Sequence, residues 1–162
     1  MGLLAWLGIQ KDHEYPNLDA LMKELRHALP DDENVLLRYV AIVAVLLGKV
    51  AMADGRLSAK EDQALRALLT GIGRIAPAGV DAVCTALEGK LPSVTDEELE
   101  LCFRELKSLC DHKERIEIVR LLMQLAAVDG DPCTSEHAEV DGIAQELGVS
   151  MAEVIRASLP AR

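Results

Sequence analysis

Carboxylates recur at one spacing in this chain. The phrase Ala51-x-x-Asp54-Gly55-(x)5-Glu61 returns 75 residues on as Ala126-x-x-Asp129-Gly130-(x)5-Glu136. Carboxylate oxygens, joined by the free carbonyls of a helix end, are hard donors that suit Ca²⁺ or Mg²⁺ ahead of Mn²⁺ or Zn²⁺. Asp54, Glu61, Asp129 and Glu136 are therefore candidate metal ligands, and Asp131 and Glu139 supply two further oxygens in the second copy. Each Asp precedes a Gly that follows an apolar helical run, so it falls at a helix C-terminus. There the negative end of the helix dipole costs a carboxylate about 0.3–1 kcal/mol, a penalty that a bound cation would remove. Each Glu falls in the first turn of the next helix, and in a tight helical hairpin the Asp and Glu can approach across the loop. Ordinary turn chemistry competes with this reading. Asp-Gly is a common turn pair, and Ser58-Ala-Lys-Glu61 has the form of a capping box. In the second copy Cys133 stands where Ser58 would be, yet Glu136 remains, so capping explains that copy less well. Neither copy has the alternating oxygen ligands of an EF-hand loop.

The elements that must position these residues follow from the repeat. Residues 41–73 against 116–148 give seven identities in 33 ungapped pairs, Leu46/Leu121 and Leu47/Leu122 among them, as expected for a duplicated helix-turn-helix unit. Half of the 162 residues are apolar but only four are aromatic; an excess of Leu and Ala favours closely packed helices over sheets. The expected fold is all-α, a single domain of seven to eight helices with an internal pseudo-two-fold repeat, its halves at about 35–75 and 114–150. Residues 1–16 form an apolar leader and connector carrying the sole tryptophan, Trp6, and residues 17–162 form the domain. Asn17 is the expected N-cap of the first helix, which runs to about Leu29. Pro30-Asp31-Asp32 precedes a long apolar helix to about Asp54, Ser58 caps the third helix, and Pro77 opens the fourth. Thr95-x-x-Glu98 and Ser150-x-x-Glu153 are capping boxes for later helices, with a counterpart of the long second helix spanning Glu114–Val128.

Charge narrows the partners. The net charge is −10, with 9 basic and 11 acidic side chains in residues 1–81 against 8 and 16 in residues 82–162. Such a surface repels phosphate backbones, so no nucleic-acid partner is expected. The apolar run from Val35 to Ala53 is interrupted by Arg38 and Lys49, which leaves it too short to cross a bilayer. No signal peptide is recognisable, and the cysteines read as reduced, mostly buried thiols of a cytoplasmic protein. A zinc site from Cys110, His112, Cys133 and His137 matches no familiar spacing. Glu24-x-x-His27 is a single copy of a motif that di-iron bundles need twice, and its two residues lie opposite the apolar face of their helix. His13, His112 and His137 belong to no nucleophile–base constellation, so an enzyme is not expected.

The doubled motif, with apolar helices ending in Ile72-Gly73 and Leu147-Gly148, resembles the TerB-like family, which takes in tellurite-resistance proteins and the N-terminal domains of DnaJ-type membrane co-chaperones. The resemblance covers roughly residues 35–160. It implies an all-helical, pseudo-two-fold, cytoplasmic domain without catalysis, in which Asp54, Glu61, Asp129 and Glu136 match acidic residues assigned to divalent metal. It also implies a role in tellurite and chemical-stress responses, with protein partners in complexes at the inner face of the membrane. Asp131-Pro132-Cys133, in place of Arg56-Leu57-Ser58, departs from an equal pair of turns. Two readings result. One is a metal-binding module of a stress-response assembly. The other is a metal-free interaction adaptor at the inner membrane surface, docking through its acidic C-terminal half or through the leader, which could also touch the membrane peripherally.

Overall fold

The computed structural model describes residues 16–28, 30, 34–73, 76–130 and 134–160. Eight α-helices occupy them: α1 Pro16–Ala28, α2 Asn34–Ala51, α3 Ala59–Gly73, α4 Pro77–Lys90, α5 Asp96–Leu109, α6 His112–Ala126, α7 Thr134–Glu146 and α8 Met151–Ser158, with a 3₁₀ turn at Leu91–Ser93. No strand occurs among the described residues. The leader falls outside them apart from Pro16, as do Asp131 and Cys133.

α2 is the axis of the molecule. Its residues from Val40 to Gly48 are buried on every side, as expected for a helix that is apolar all round. It packs against α1, α3, α4, α5, α6 and α7. Leu46 and Leu47 are fully enclosed, and so is Leu122, the counterpart of Leu47. α6 is the second central helix and contacts α2, α3, α7 and α8. The duplicated units α2–α3 and α6–α7 thus pack on one another, with α1, α4, α5 and α8 around them.

The two turns that follow α2 and α6 are built alike, bond for bond. Met52 N–H donates to Gly48 O at 3.0 Å, Ala53 N–H to Val50 O at 3.2 Å and Gly55 N–H to Met52 O at 3.0 Å. Their counterparts 75 positions later are Ala127 to Met123 at 3.1 Å, Val128 to Leu125 at 3.2 Å and Gly130 to Ala127 at 3.1 Å. Both turns close through a left-handed glycine, with φ of 81° at Gly55 and 112° at Gly130. A Cβ would meet no neighbour at either position, so Gly55→Ala and Gly130→Ala test backbone strain alone. Each is expected to cost about 1–2 kcal/mol in denaturant unfolding, since an L-residue is strained at these angles.

Local capping explains most helix starts. The boxes at Thr95/Glu98 and Ser150/Glu153 form as expected, and Asp111/Glu114 forms a third that starts α6 at His112, earlier than Glu114. Asn17 is not an N-cap. Pro16, with its fixed φ and no N–H to satisfy, takes the first turn of α1, which places Asn17 inside the helix. Its side-chain Nδ2 donates to Ser93 O at 2.8 Å and to Glu98 Oε2 at 3.1 Å, and its backbone N–H donates to Glu98 Oε1 at 3.2 Å. One buried carboxylate therefore serves the N-terminal ends of α1 and α5 together, where the helix dipoles favour an anion.

Candidate metal site where the two acidic turns meet

Only three charged side chains are buried among the described residues, and all are glutamates: Glu98 at 1 % exposure, Glu61 at 4 % and Glu136 at 6 %. Two of the three are the repeated glutamates of the acidic turns. Glu98 is accounted for by its hydrogen bonds to α1 and α5. Glu61 and Glu136 are placed differently, because their carboxyl groups lie in hydrogen-bond contact with each other.

The first turn positions Glu61 through its capping box. Ser58 N–H donates to Glu61 Oε2 at 2.7 Å, and Glu61 N–H donates to Ser58 Oγ at 3.1 Å. The Ser58 hydroxyl hydrogen goes elsewhere: Oγ donates to Asp129 Oδ2 of the second turn at 2.6 Å. Ser58 thus ties the two repeats together across 71 residues, while Glu61 meets Glu136. The carboxyl of Glu61 is held above the ordinary carboxylate value. Burial does most of this and contact with Glu136 adds to it, against the opposing pull of the Ser58 N–H. Two carboxyls in contact disfavour a second negative charge, which adds to the rise at Glu61.

The approach expected within each hairpin is thus overshadowed by an approach between hairpins. Asp54 is exposed, and its Oδ1 accepts the Arg56 N–H at 2.8 Å inside its own loop. Asp129 is exposed as well and accepts from Ser58. Glu139 stands beside α2, with its carboxylate 3.9 Å from Lys49 Nζ. Asp131 lies outside the described residues. Among the described residues no three His, Cys, Asp or Glu side chains converge closely enough to hold an ion.

The role of Ser58 in joining the turns was hidden behind its capping role. The one hint in the sequence is that its counterpart is Cys133, so only one such serine is present. His112, a zinc candidate by sequence, has another partner: its Nε2 lies 2.8 Å from Glu153 Oε1 and links α6 to α8. That contact, with the Ser150 N–H and hydroxyl, holds the Glu153 carboxyl down to about 2. Of the zinc candidates, Cys110 is a buried thiol, and its pKa is pushed up to about 11 chiefly by burial, which works against the thiolate a metal needs. Cys133 lies outside the described residues, as does the leader's His13. Cys84 and Cys102 are buried, as the apolar pattern around them predicts. Glu24 and His27 line a shallow surface hollow with Lys23, Arg26 and Pro30.

No helix among the described residues is long and apolar enough to cross a membrane. Comparison with known proteins finds that residues 40–159 match the model of the family described as tellurite resistance protein TerB. No curated protein and no solved structure matches the chain.

Proposed function

The chain belongs to the TerB family, a helical module related to tellurite resistance, and on that premise we propose that it is a non-catalytic cytoplasmic protein that binds a divalent cation where its two acidic turns meet. The observation that carries this reading is the contact between Glu61 and Glu136, two buried carboxyls that sequence repetition singles out and packing brings together. A cation there would relieve their mutual repulsion.

The donor set fits a partly hydrated ion better than a closed cage. Two carboxylates supply few protein oxygens, a number that suits Mg²⁺, which keeps several waters and is commonly held by one or two carboxylates. Ca²⁺, with six to eight oxygens to satisfy, needs the further carboxylates of Asp54 or Asp131. In the cell the module would serve protein partners in a stress-response assembly.

Adding divalent metal to 100-fold over its dissociation constant is expected to stabilise the protein by about 2.7 kcal/mol. For a chain of this size that raises Tm by about 5–10 °C. Scanning calorimetry with Mg²⁺, Ca²⁺ and Mn²⁺ is the measurement, and the Asp54→Ala/Asp129→Ala double variant should lose much of the response. A wild-type Tm that ignores an excess of all three ions sinks the proposal.

The metal-free adaptor is favoured by a separate observation. Asp54 and Asp129 already hold hydrogen-bond donors from Arg56 and Ser58, so the turns are closed without an ion. On that reading the acidic C-terminal half docks a basic protein surface, and partner capture survives both chelation and the double substitution.

A further inference from the structure

α5 and α7 both pack on α2, and an open apolar groove runs between them. Leu46 of α2 forms its floor, Leu99 and Phe103 of α5 one wall, and Ala138, Gly142 and Ile143 of α7 the other. The hollow measures about 200 Å³ and joins a second of about 410 Å³, with which it shares Leu99, Phe103 and Glu146. Leu99 and Phe103 stand one helical turn apart, as do Ala138 and Gly142, so the walls are two ridges of equal spacing with a furrow between them. The α7 ridge is low, and a Cβ added to Gly142 would meet nothing within 4 Å. Charge lies at the rim. Lys49 and Glu139 face each other beside the first hollow, while Asp96, Glu100 and Glu146 line the second. Glu100 is paired with Arg104, but neither Asp96 nor Glu146 has a basic partner among the described residues.

A matching ridge stands on α8. Ile155 and Leu159 are 55 % and 63 % exposed, more than any other large apolar side chain described. Leu159 is the C-cap of the helix, four residues after Ile155, so the two project one turn apart on one side of α8, beside exposed Ala152. Arg156 is exposed next to Ile155 and pairs with no carboxylate among the described residues. In its own copy α8 is held away from the groove. Buried Val154 and the His112–Glu153 contact fix its other side against α6, which leaves the apolar pair in solvent. An apolar pair beside one cation is the complement of a furrow of the same spacing beside unpaired carboxylates, the arrangement by which an amphipathic helix seats in a groove.

We propose that α8 of a second copy of this chain docks in the α5–α7 groove, its Ile155 and Leu159 lying between Phe103 and the low ridge at Ala138 and Gly142, and its Arg156 facing Asp96 and Glu146. Ridge and furrow belong to different faces of each copy, so the contact is head-to-tail and every added copy brings a new groove and a new α8. One short helix buries little surface, and contacts of that size are weak and transient. Each copy carries a charge of −10, which repels the next at long range. At about 0.15 M ionic strength the Debye length is about 8 Å, so that repulsion is screened while the arginine stays close to its carboxylates.

Sedimentation equilibrium of the full chain from about 10 µM to about 1 mM covers the range of such contacts. Wild type is expected to exceed the 17.6 kDa of one chain, increasingly so as concentration rises. Ile155→Asp/Leu159→Asp, at two exposed positions, should stay at the mass of one chain throughout. Gly142→Glu places an acidic side chain in the furrow where the backbone has room for it, and should do the same. Ala138→Glu, also exposed, takes its place if circular dichroism shows that the first groove variant fails to fold. Arg156→Glu should weaken association about tenfold. The decisive arm mixes the α8 variant with the groove variant. Each keeps the surface that the other lacks, so the mixture should form a 1:1 dimer and nothing larger. Wild type that stays at the mass of one chain up to about 1 mM overturns the proposal and leaves the groove to another partner. Association that survives the α8 or the groove substitutions, or that ignores Arg156→Glu, overturns it too. A mixture that remains monomeric while wild type associates places the contact on a different face and has the same consequence.

Discussion

Glu98→Ala is expected to lower stability by about 3 kcal/mol, or Tm by about 6–12 °C, the largest loss for any single polar side chain described above. The carboxylate is 1 % exposed and accepts three hydrogen bonds: from Asn17 N–H, from Asn17 Nδ2 and, at 3.0 Å, from Thr95 N–H. Two of these donors are backbone groups at helix starts, which have no partner within their own helices. Removing the carboxylate strands both and withdraws a negative charge from the positive ends of two helix dipoles. Thr95→Ala isolates the local part of this arrangement, because it removes only the cap that accepts the Glu98 N–H at 3.2 Å. It should cost about 1 kcal/mol, as ordinary caps do. Glu98→Gln keeps one acceptor oxygen and should fall between the two. Urea unfolding of the three variants gives the order. Equal losses for Glu98→Ala and Thr95→Ala would mean that the link to α1 contributes nothing.

What could be read from the sequence divides along the range of the interactions. Pro77, Thr95 and Ser150 mark helix starts correctly because a capping box or a first-turn proline is complete within four residues. The same logic extends to Asp111-x-x-Glu114, whose signal is present but lies ahead of the apolar pattern that suggested a later start. Asn17 fails as a cap because the neighbouring Pro16 is the stronger first-turn residue, and the amide is then free to bond 76 and 81 positions away. The helical, duplicated architecture was legible because apolar periodicity and repetition are properties of the chain alone, and the family match over residues 40–159 agrees with it. The candidate site was legible by residue and not by pairing. Repetition marks Glu61 and Glu136, and burial sets both apart from the surface carboxylates. Spacing within one hairpin carries no information about which turn meets which. That is decided by the packing of α2–α3 on α6–α7, and it joins Glu61 to Glu136 and Ser58 to Asp129. Glu139 shows the same limit, since Lys49 reaches it from the other repeat.

Glu61→Gln is expected to raise Tm at neutral pH and to abolish the gain from divalent metal. The Glu61 carboxyl is held above its ordinary value of 4.5, first by burial and then by contact with Glu136. A group whose folded pKa is raised stabilises the fold while protonated, at pH below its unfolded value. That stability is lost as pH rises through the folded pKa, because the folded state then gives up a proton it holds more tightly than the unfolded chain does. As pH rises from the acid range, wild type therefore loses the stability that the protonated Glu61 carboxyl supplies. Glutamine does not: its carbonyl oxygen can still accept the Ser58 N–H that Glu61 Oε2 accepts at 2.7 Å, and its amide can donate to Glu136. Below pH 4.5 the wild-type carboxyl is protonated and bonds much as the amide does, so the difference in Tm between variant and wild type should shrink as pH falls. The cation acts in the opposite sense, since it binds the charged form of the Glu61 carboxyl and gives wild type a Tm gain of about 5–10 °C that the variant lacks. Calorimetry at three pH values, with and without Mg²⁺, measures both effects in one series. A Glu61→Gln protein less stable than wild type at neutral pH would show that the capping charge outweighs repulsion. Wild type and variant responding equally to metal would move the ion away from this pair. The two results are separable because the first concerns the proton and the second the ion, and the proposed site requires that both act on the same two carboxyls.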